Sequence, residues 1–148
     1  MRLALLFCTL ILAQALSAQR ASKNVVPNNP FTHWDGTERT LTEIFKAHRG
    51  KVIYIDFWAS WRAPCRKEMP ASKALHEKLG DDVVFVYISI DDNKAAWTDM
   101  VGRLDLAKAG EHYHRRSADM KDFLRFFGIY SIPRYMIIDK SGQFYEND

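Results

Sequence analysis

From Lys51 to Ala59 the chain is an almost unbroken apolar and β-branched run, the pattern of a strand buried on both faces of a sheet. Val83 to Ile90 repeats that pattern and predicts a second buried strand. Between them, Pro64 suits the first turn of a helix, Cys65 to Leu79 carries helix formers, and Gly80 supplies the stop. Pro70, one turn in, predicts a kink. Upstream, Thr40-Leu41-Thr42-Glu43 has capping-box spacing and starts a helix reaching about His48, with Gly50 beyond its end. Phe31 to Gly36 reads as a short edge strand and turn. After Asp91 and Asp92, Asn93 caps a helix from Lys94 to about Leu104, with Ala96, Met100 and Val101 toward the core. Asp105 to Arg116 is looser, and its basic cluster, His112 to Arg116, reads as a solvated loop. Ser117 begins a helix with Met120, Phe123, Leu124 and Phe127 on one face, ended by Gly128. The aromatics Phe123, Phe126, Phe127 and Tyr130 are assigned to the core. Tyr135 to Asp139 is a third apolar strand, joined through Lys140-Ser141-Gly142 to a hairpin partner at Gln143-Phe144-Tyr145. Buried strands alternating with helices imply an α/β fold, and the final hairpin makes its sheet mixed.

The first residues follow a different rule. Met1-Arg2 is a short positive segment, Leu3 to Leu12 is nearly all apolar, and small residues Ala13, Ala15, Ser17 and Ala18 follow, which is the pattern of a signal peptide. The apolar run is well short of the ~20 residues that span a membrane, so no stable membrane span is expected after cleavage. The expected organisation is a signal peptide at 1–18, an extended Asn- and Pro-rich lead-in at 19–30, and one domain at 31–148. At 148 residues and 47% apolar, the chain is long enough for one core and too short for two. Formal charge is +3, from 21 basic and 18 acidic residues, and no long one-sign run points to nucleic acid. The two cysteines are Cys8, in the leader, and Cys65, so a mature chain holds a single thiol and forms no internal disulfide.

At the strand-to-helix junction, Asp56-Phe57-Trp58-Ala59-Ser60-Trp61-Arg62-Ala63-Pro64-Cys65-Arg66-Lys67-Glu68-Met69-Pro70 resembles the thioredoxin-superfamily pattern F-W-A-x-W-C-x-P-C-R-x-E-x-P, broken only at Arg62. Ile132-Pro133 before a strand is a second landmark in the right order. The Trp-rich wording, the leader and the insert before the Pro133 strand resemble the exported, TlpA-like thiol-disulfide oxidoreductases. The resemblance covers about Phe31 to Phe144. It implies a thioredoxin fold, protein or peptide thiol and disulfide clients, no cofactor or metal, and a periplasmic or cell-envelope location. It also calls for a terminal helix after the hairpin, apparently missing from a sequence that stops at Asp148, which would leave one sheet face partly uncovered. Oligomeric state is not readable.

In that family the first CxxC thiol sits at a helix N-terminus, where the helix dipole favours thiolate, and the second cysteine resolves the mixed disulfide. Arg62 occupies the lost nucleophile position and Cys65 the resolving one. Two readings of Cys65 follow. Arg62 one turn away favours thiolate, and Asp56 matches the family's buried acid, so the pair is catalytic; or Cys65 is a buried small hydrophobe beside a core acid with no task. A guanidinium at the positive helix end is expected to swing toward solvent or a partner's carboxylate and to add nothing to the fold. Pro133 corresponds to the family's cis-proline. A substrate groove formed by Trp61, Arg62, Pro64, Ile132 and Pro133 would survive loss of the cysteine, so the alternatives are a monothiol redox protein acting through Cys65 and a non-enzymatic peptide-binding module. His112 and His114 lack a matching acid or cysteine for a metal site and are expected at the surface. Arginine at position 62 also excludes the T-x-x-C of a peroxiredoxin.

Overall fold

The computed structural model describes residues 28–115 and 120–145. The expected leader and most of the lead-in lie outside the described residues. In chain order the elements are β1 (Pro30–His33), β2 (Glu38–Thr40), α1 (Leu41–Ala47), β3 (Val52–Trp58), α2 (Ala63–Leu79), β4 (Val83–Ser89), α3 (Lys94–Arg103), β5 (Glu111–Arg115), α4 (Met120–Phe126), β6 (Arg134–Ile138) and β7 (Phe144–Tyr145). The strands form one seven-stranded mixed sheet in the order β2-β1-β5-β4-β3-β6-β7. β3, β4 and β5 run parallel, and β6 runs antiparallel to β3.

β3 and β4 are the predicted buried strands. Their register pairs Ile53 with Val84, Ile55 with Val86 and Phe57 with Ile88 on one face, and Tyr54 with Phe85 and Asp56 with Tyr87 on the other. The first face packs against α4, where Phe123 meets Phe57 and Phe31. The second carries α2, whose Ser72 hydroxyl shares a 2.9 Å hydrogen bond with the Tyr87 hydroxyl, while His76 stands edge-on to Phe85. Tyr135, Ile137 and Tyr145 lie on this second face and remain exposed.

Local signals set the helix ends. The Thr40 hydroxyl accepts from the Glu43 backbone N–H at 3.2 Å, and the Glu43 carboxylate accepts from the Thr40 N–H at 2.7 Å, a reciprocal capping box. Asn93 caps α3 by accepting from the N–H groups of Ala95 and Ala96. Pro70 lies inside α2, which continues through it to Leu79.

The segment expected to be a loose, solvated loop is instead β5. Its His112, Tyr113 and His114 are buried, because β5 is enclosed between β4 and β1. Alternating polar and aromatic residues hid the strand. The His112 ring stacks on Tyr87 at 4.6 Å and its Nε2 meets the Leu106 carbonyl at 2.7 Å, so the two histidines are interior rather than surface groups. Burial holds the His112 imidazole down to about 4. β1, expected at the edge, lies between β5 and β2, and the three-residue β2 is the edge. The strand also begins at Pro30, inside the expected lead-in. In α3 it is Trp97 and Val101 that are fully buried, with Ala96 and Met100 only partly so. Tyr130, assigned to the core, is 89% exposed, and Phe126 is also exposed.

Gly110, entering β5, has φ +134, and a Cβ there would lie 2.5 Å from the Phe85 carbonyl oxygen. Gly110→Ala should lower unfolding free energy by about 1–3 kcal/mol or more, through overpacking and an unfavourable backbone. Gly102, within α3 and facing open space, is the control: Gly102→Ala should raise it by up to about 1 kcal/mol. Urea unfolding curves of the two variants read both effects.

Candidate functional site at the start of the second helix

The site is built where β3 hands over to α2. The loop between them is clamped from below by Asp91, a buried residue just past β4. Its carboxylate accepts from the Ser60 N–H at 2.9 Å, the Ser60 hydroxyl at 2.7 Å and the Ser89 hydroxyl at 2.7 Å. The Asp91 carbonyl in turn lies 2.9 Å from His114 Nε2 on β5. Arg66 Nη1 donates to the Ser60 carbonyl at 2.8 Å, tying the first turn of α2 back to the same loop. Ser60, Asp91 and His114 carry no motif of their own, and only the burial of three polar side chains side by side reveals the clamp.

Arg62 is the N-cap residue of α2 and makes no side-chain cap. Arg62 is exposed, as expected, but its side chain is not free: its Nε donates to the Ile132 carbonyl at 3.1 Å. The expectation that Arg62 adds nothing to the fold is therefore corrected, since its side chain joins the start of α2 to the loop before β6. That loop carries a cis peptide bond between Ile132 and Pro133, as the resemblance implied.

Trp61, Arg62 and Ile132 line one cavity of about 260 Å³, together with Ile90, Leu124, Ile129, Tyr130 and Ser131. Pro64 and Pro133 flank it in sequence without lining it. Tyr130 was missed along with Ile90, Leu124, Ile129 and Ser131, and its signal was position: an aromatic two residues before Ile132, on the loop facing the helix start. Trp61, at 61% exposed, forms the other aromatic rim.

Behind the helix start lie the two groups with titration chemistry. Cys65 is free and completely buried. Burial pushes its thiol up, the neighbouring Asp56 pushes the same way, and the pull of Arg62 toward thiolate is outweighed. Asp56 is also completely buried, and neither carboxylate oxygen has a hydrogen-bond partner among the described residues. Desolvation, with a smaller push from Glu68, raises its carboxyl to about 7. The pair is close enough to interact, yet neither member reaches the cavity.

Residues 50–144 match the family model described as Thioredoxin-like. Over 124 residues the chain is 27% identical to the thiol-disulfide oxidoreductase ResA of Bacillus thuringiensis subsp. konkukian, an alignment covering 79% of this chain and 63% of that protein. The chain thus spans a little under two thirds of the length of the curated relatives it matches. A solved candidate thiol-disulfide oxidoreductase from Bacteroides vulgatus is 35% identical, with a TM-score of 0.66 over 82% of this chain and 75% of that one. The thioredoxin domain of another thiol-disulfide oxidoreductase from Bacteroides vulgatus has a TM-score of 0.71 at 21% identity, over 82% and 84% of the two chains, a likeness of fold.

Asp56 gives the fold a defined pH dependence. An ordinary aspartate releases its proton near 3.8, whereas the buried one keeps it to about 7, so the folded state binds more protons across that window. Its contribution is full below about 4 and lost as pH rises through 7, at a slope of up to ~1.4 kcal/mol per pH unit. Urea unfolding from pH 4.5 to 8 should show this decline, and Asp56→Asn should flatten it. An unchanged slope in that variant would assign the decline to other groups.

Proposed function

Because the chain belongs to the thioredoxin superfamily, in its TlpA-like branch, we propose that it retains that scaffold while lacking the exchange reaction a Cys-x-x-Cys pair performs. The observation that carries this reading is Arg62. It stands at the N-terminal end of α2, where a first thiol would be activated by unpaired N–H groups, and its guanidinium is held on the Ile132 carbonyl. Thiol-disulfide exchange needs an accessible thiolate, and Cys65 is buried with its thiol pushed up. The mature domain, from about residue 19, acts outside the cytoplasm, in the periplasm or cell envelope, after removal of a leader at 1–18. The leader's charge and apolar pattern supports this, and no helix among the described residues is long and apolar enough to cross a membrane.

What remains is a binding groove for extended segments of client proteins, beside Trp61, Arg62 and Ile132. The exposed aromatics Trp61 and Tyr130 on either side of an apolar cavity favour this over a monothiol enzyme.

Two measurements test the reading. The native protein should not accelerate the reduction of a model disulfide by dithiothreitol, whereas Arg62→Cys should. In that variant the new thiolate attacks the substrate disulfide, forming a mixed disulfide and releasing one substrate thiolate. Cys65 then displaces the second, leaving an oxidised pair that dithiothreitol reduces again. No activity in the folded variant would refute the assignment of position 62. Second, iodoacetamide should modify Cys65 in the native chain at least ~100-fold more slowly than in the urea-unfolded chain, because attack requires exposure as well as thiolate. Comparable rates, followed by mass spectrometry, would favour the monothiol enzyme instead.

A further inference from the structure

The apolar cavity beside Arg62 ends in a fixed positive charge. Arg62 lines it together with Trp61, Ile90, Leu124, Ile129, Tyr130, Ser131 and Ile132, and the described lining includes no carboxylate. Arg62 makes no ion pair among the described residues, and the Nε bond to Ile132 is its one side-chain hydrogen bond there. That bond has a stereochemical effect. A guanidinium can grip a carboxylate side-on, through Nε and one terminal nitrogen, or end-on through the two terminal nitrogens. With Nε committed to Ile132, the end-on fork is what remains, on a side chain already held at the cavity rim.

We infer that this cavity recognises the free C-terminal carboxylate of a peptide ending in an apolar residue, with Arg62 as the residue that sets this specificity. The ligand class follows from the lining. A site with an apolar hollow and an unpaired guanidinium at its edge is matched by a group carrying a carboxylate and an apolar side chain on neighbouring atoms. A C-terminal leucine or phenylalanine has both on one Cα, whereas an aspartate or glutamate side chain has a charge without the apolar body. A cavity of about 260 Å³ accommodates one such side chain and little more, which suits recognition of a terminus. The inference rests on the proposal that this groove binds rather than exchanges disulfides.

The test uses the native chain and three peptides: acetyl-Gly-Gly-Leu-Leu with a free carboxylate, the same peptide as its C-terminal amide, and acetyl-Gly-Gly-Leu-Glu amide. Calorimetric titration should show the free acid binding about tenfold or more tightly than either amide, as expected of a charge-assisted bidentate contact. Arg62→Gln, checked by circular dichroism to be folded, should abolish the difference in affinity between the acid and the amide. Arg62→Lys should recover only part of the difference, since a point charge lacks the fork. Equal binding of acid and amide by the native chain would overturn the carboxylate inference and leave the groove reading intact. Persistence of the preference in Arg62→Gln would overturn the role of Arg62. Tighter binding of the glutamate peptide would replace the terminus with an acidic side chain. Binding of none of the three would overturn the groove reading itself.

Discussion

The buried carboxylate of Asp91 holds in place the loop on which the site depends. It takes three hydrogen bonds, two from Ser60 and one from Ser89, and so fixes the chain between the end of β3 and the first turn of α2. A buried carboxylate is tolerated only when its lone pairs are satisfied, and here two of the three donors that satisfy it belong to the loop it must position, the third being Ser89 at the end of β4. Trp61 and Arg62 follow directly on that loop. Their placement opposite Ile132 therefore results from a polar interaction inside the fold, with the surface bond from Arg62 to Ile132 closing the gap afterwards.

Asp56 presents the opposite case. It is as deeply buried, yet its carboxylate oxygens have no partner among the described residues, so the carboxyl is kept protonated toward neutral pH instead of being stabilised as an anion. The two acids show that burial alone does not decide the state of a carboxyl; donors do. Cys65, beside Asp56 and behind the helix start, shares that poor environment for charge, which is why the pull of the nearby guanidinium toward thiolate is outweighed.

Much of this was legible in the chain. The continuous runs of β3 and β4, the capping box of α1, the Asn93 cap of α3 and the junction motif gave the fold class and most element boundaries, because each rests on local chemistry. β5 was not legible: it alternates polar and aromatic residues, and its histidines are paid for by acceptors, Leu106 and Asp91 carbonyls, that only the folded sheet supplies. Tyr130 went astray for a related reason, since an aromatic after a helix reads as core unless the loop's direction is known. The groove was half visible. Trp61, Arg62 and Ile132 came from the motifs, while Ile90 lies just past β4, Leu124 on α4 and Ile129 just beyond it, and no spacing rule joins them. The side-chain bond of Arg62 was hidden too, because helix electrostatics argues for an outward-turned cation and says nothing of a carbonyl across the gap.

The position of β1 bears on how the molecule assembles. It sits between β2 and β5, pairing Phe31 with Arg115 and His33 with Tyr113, so the first described strand, a hairpin partner of β2, completes its pairing only when the fifth strand is in place. Local hairpins can close early, but this pairing must bring together segments separated by most of the chain, with a correspondingly large loop-closure cost. β3 and β4 can pair as soon as α2 has formed between them, while Phe31, which packs on Phe123 of α4, must await residues made much later. Order of synthesis and order of assembly are thus uncoupled on one side of β1: during translation it can pair with β2 at once, but it emerges long before its second partner, β5.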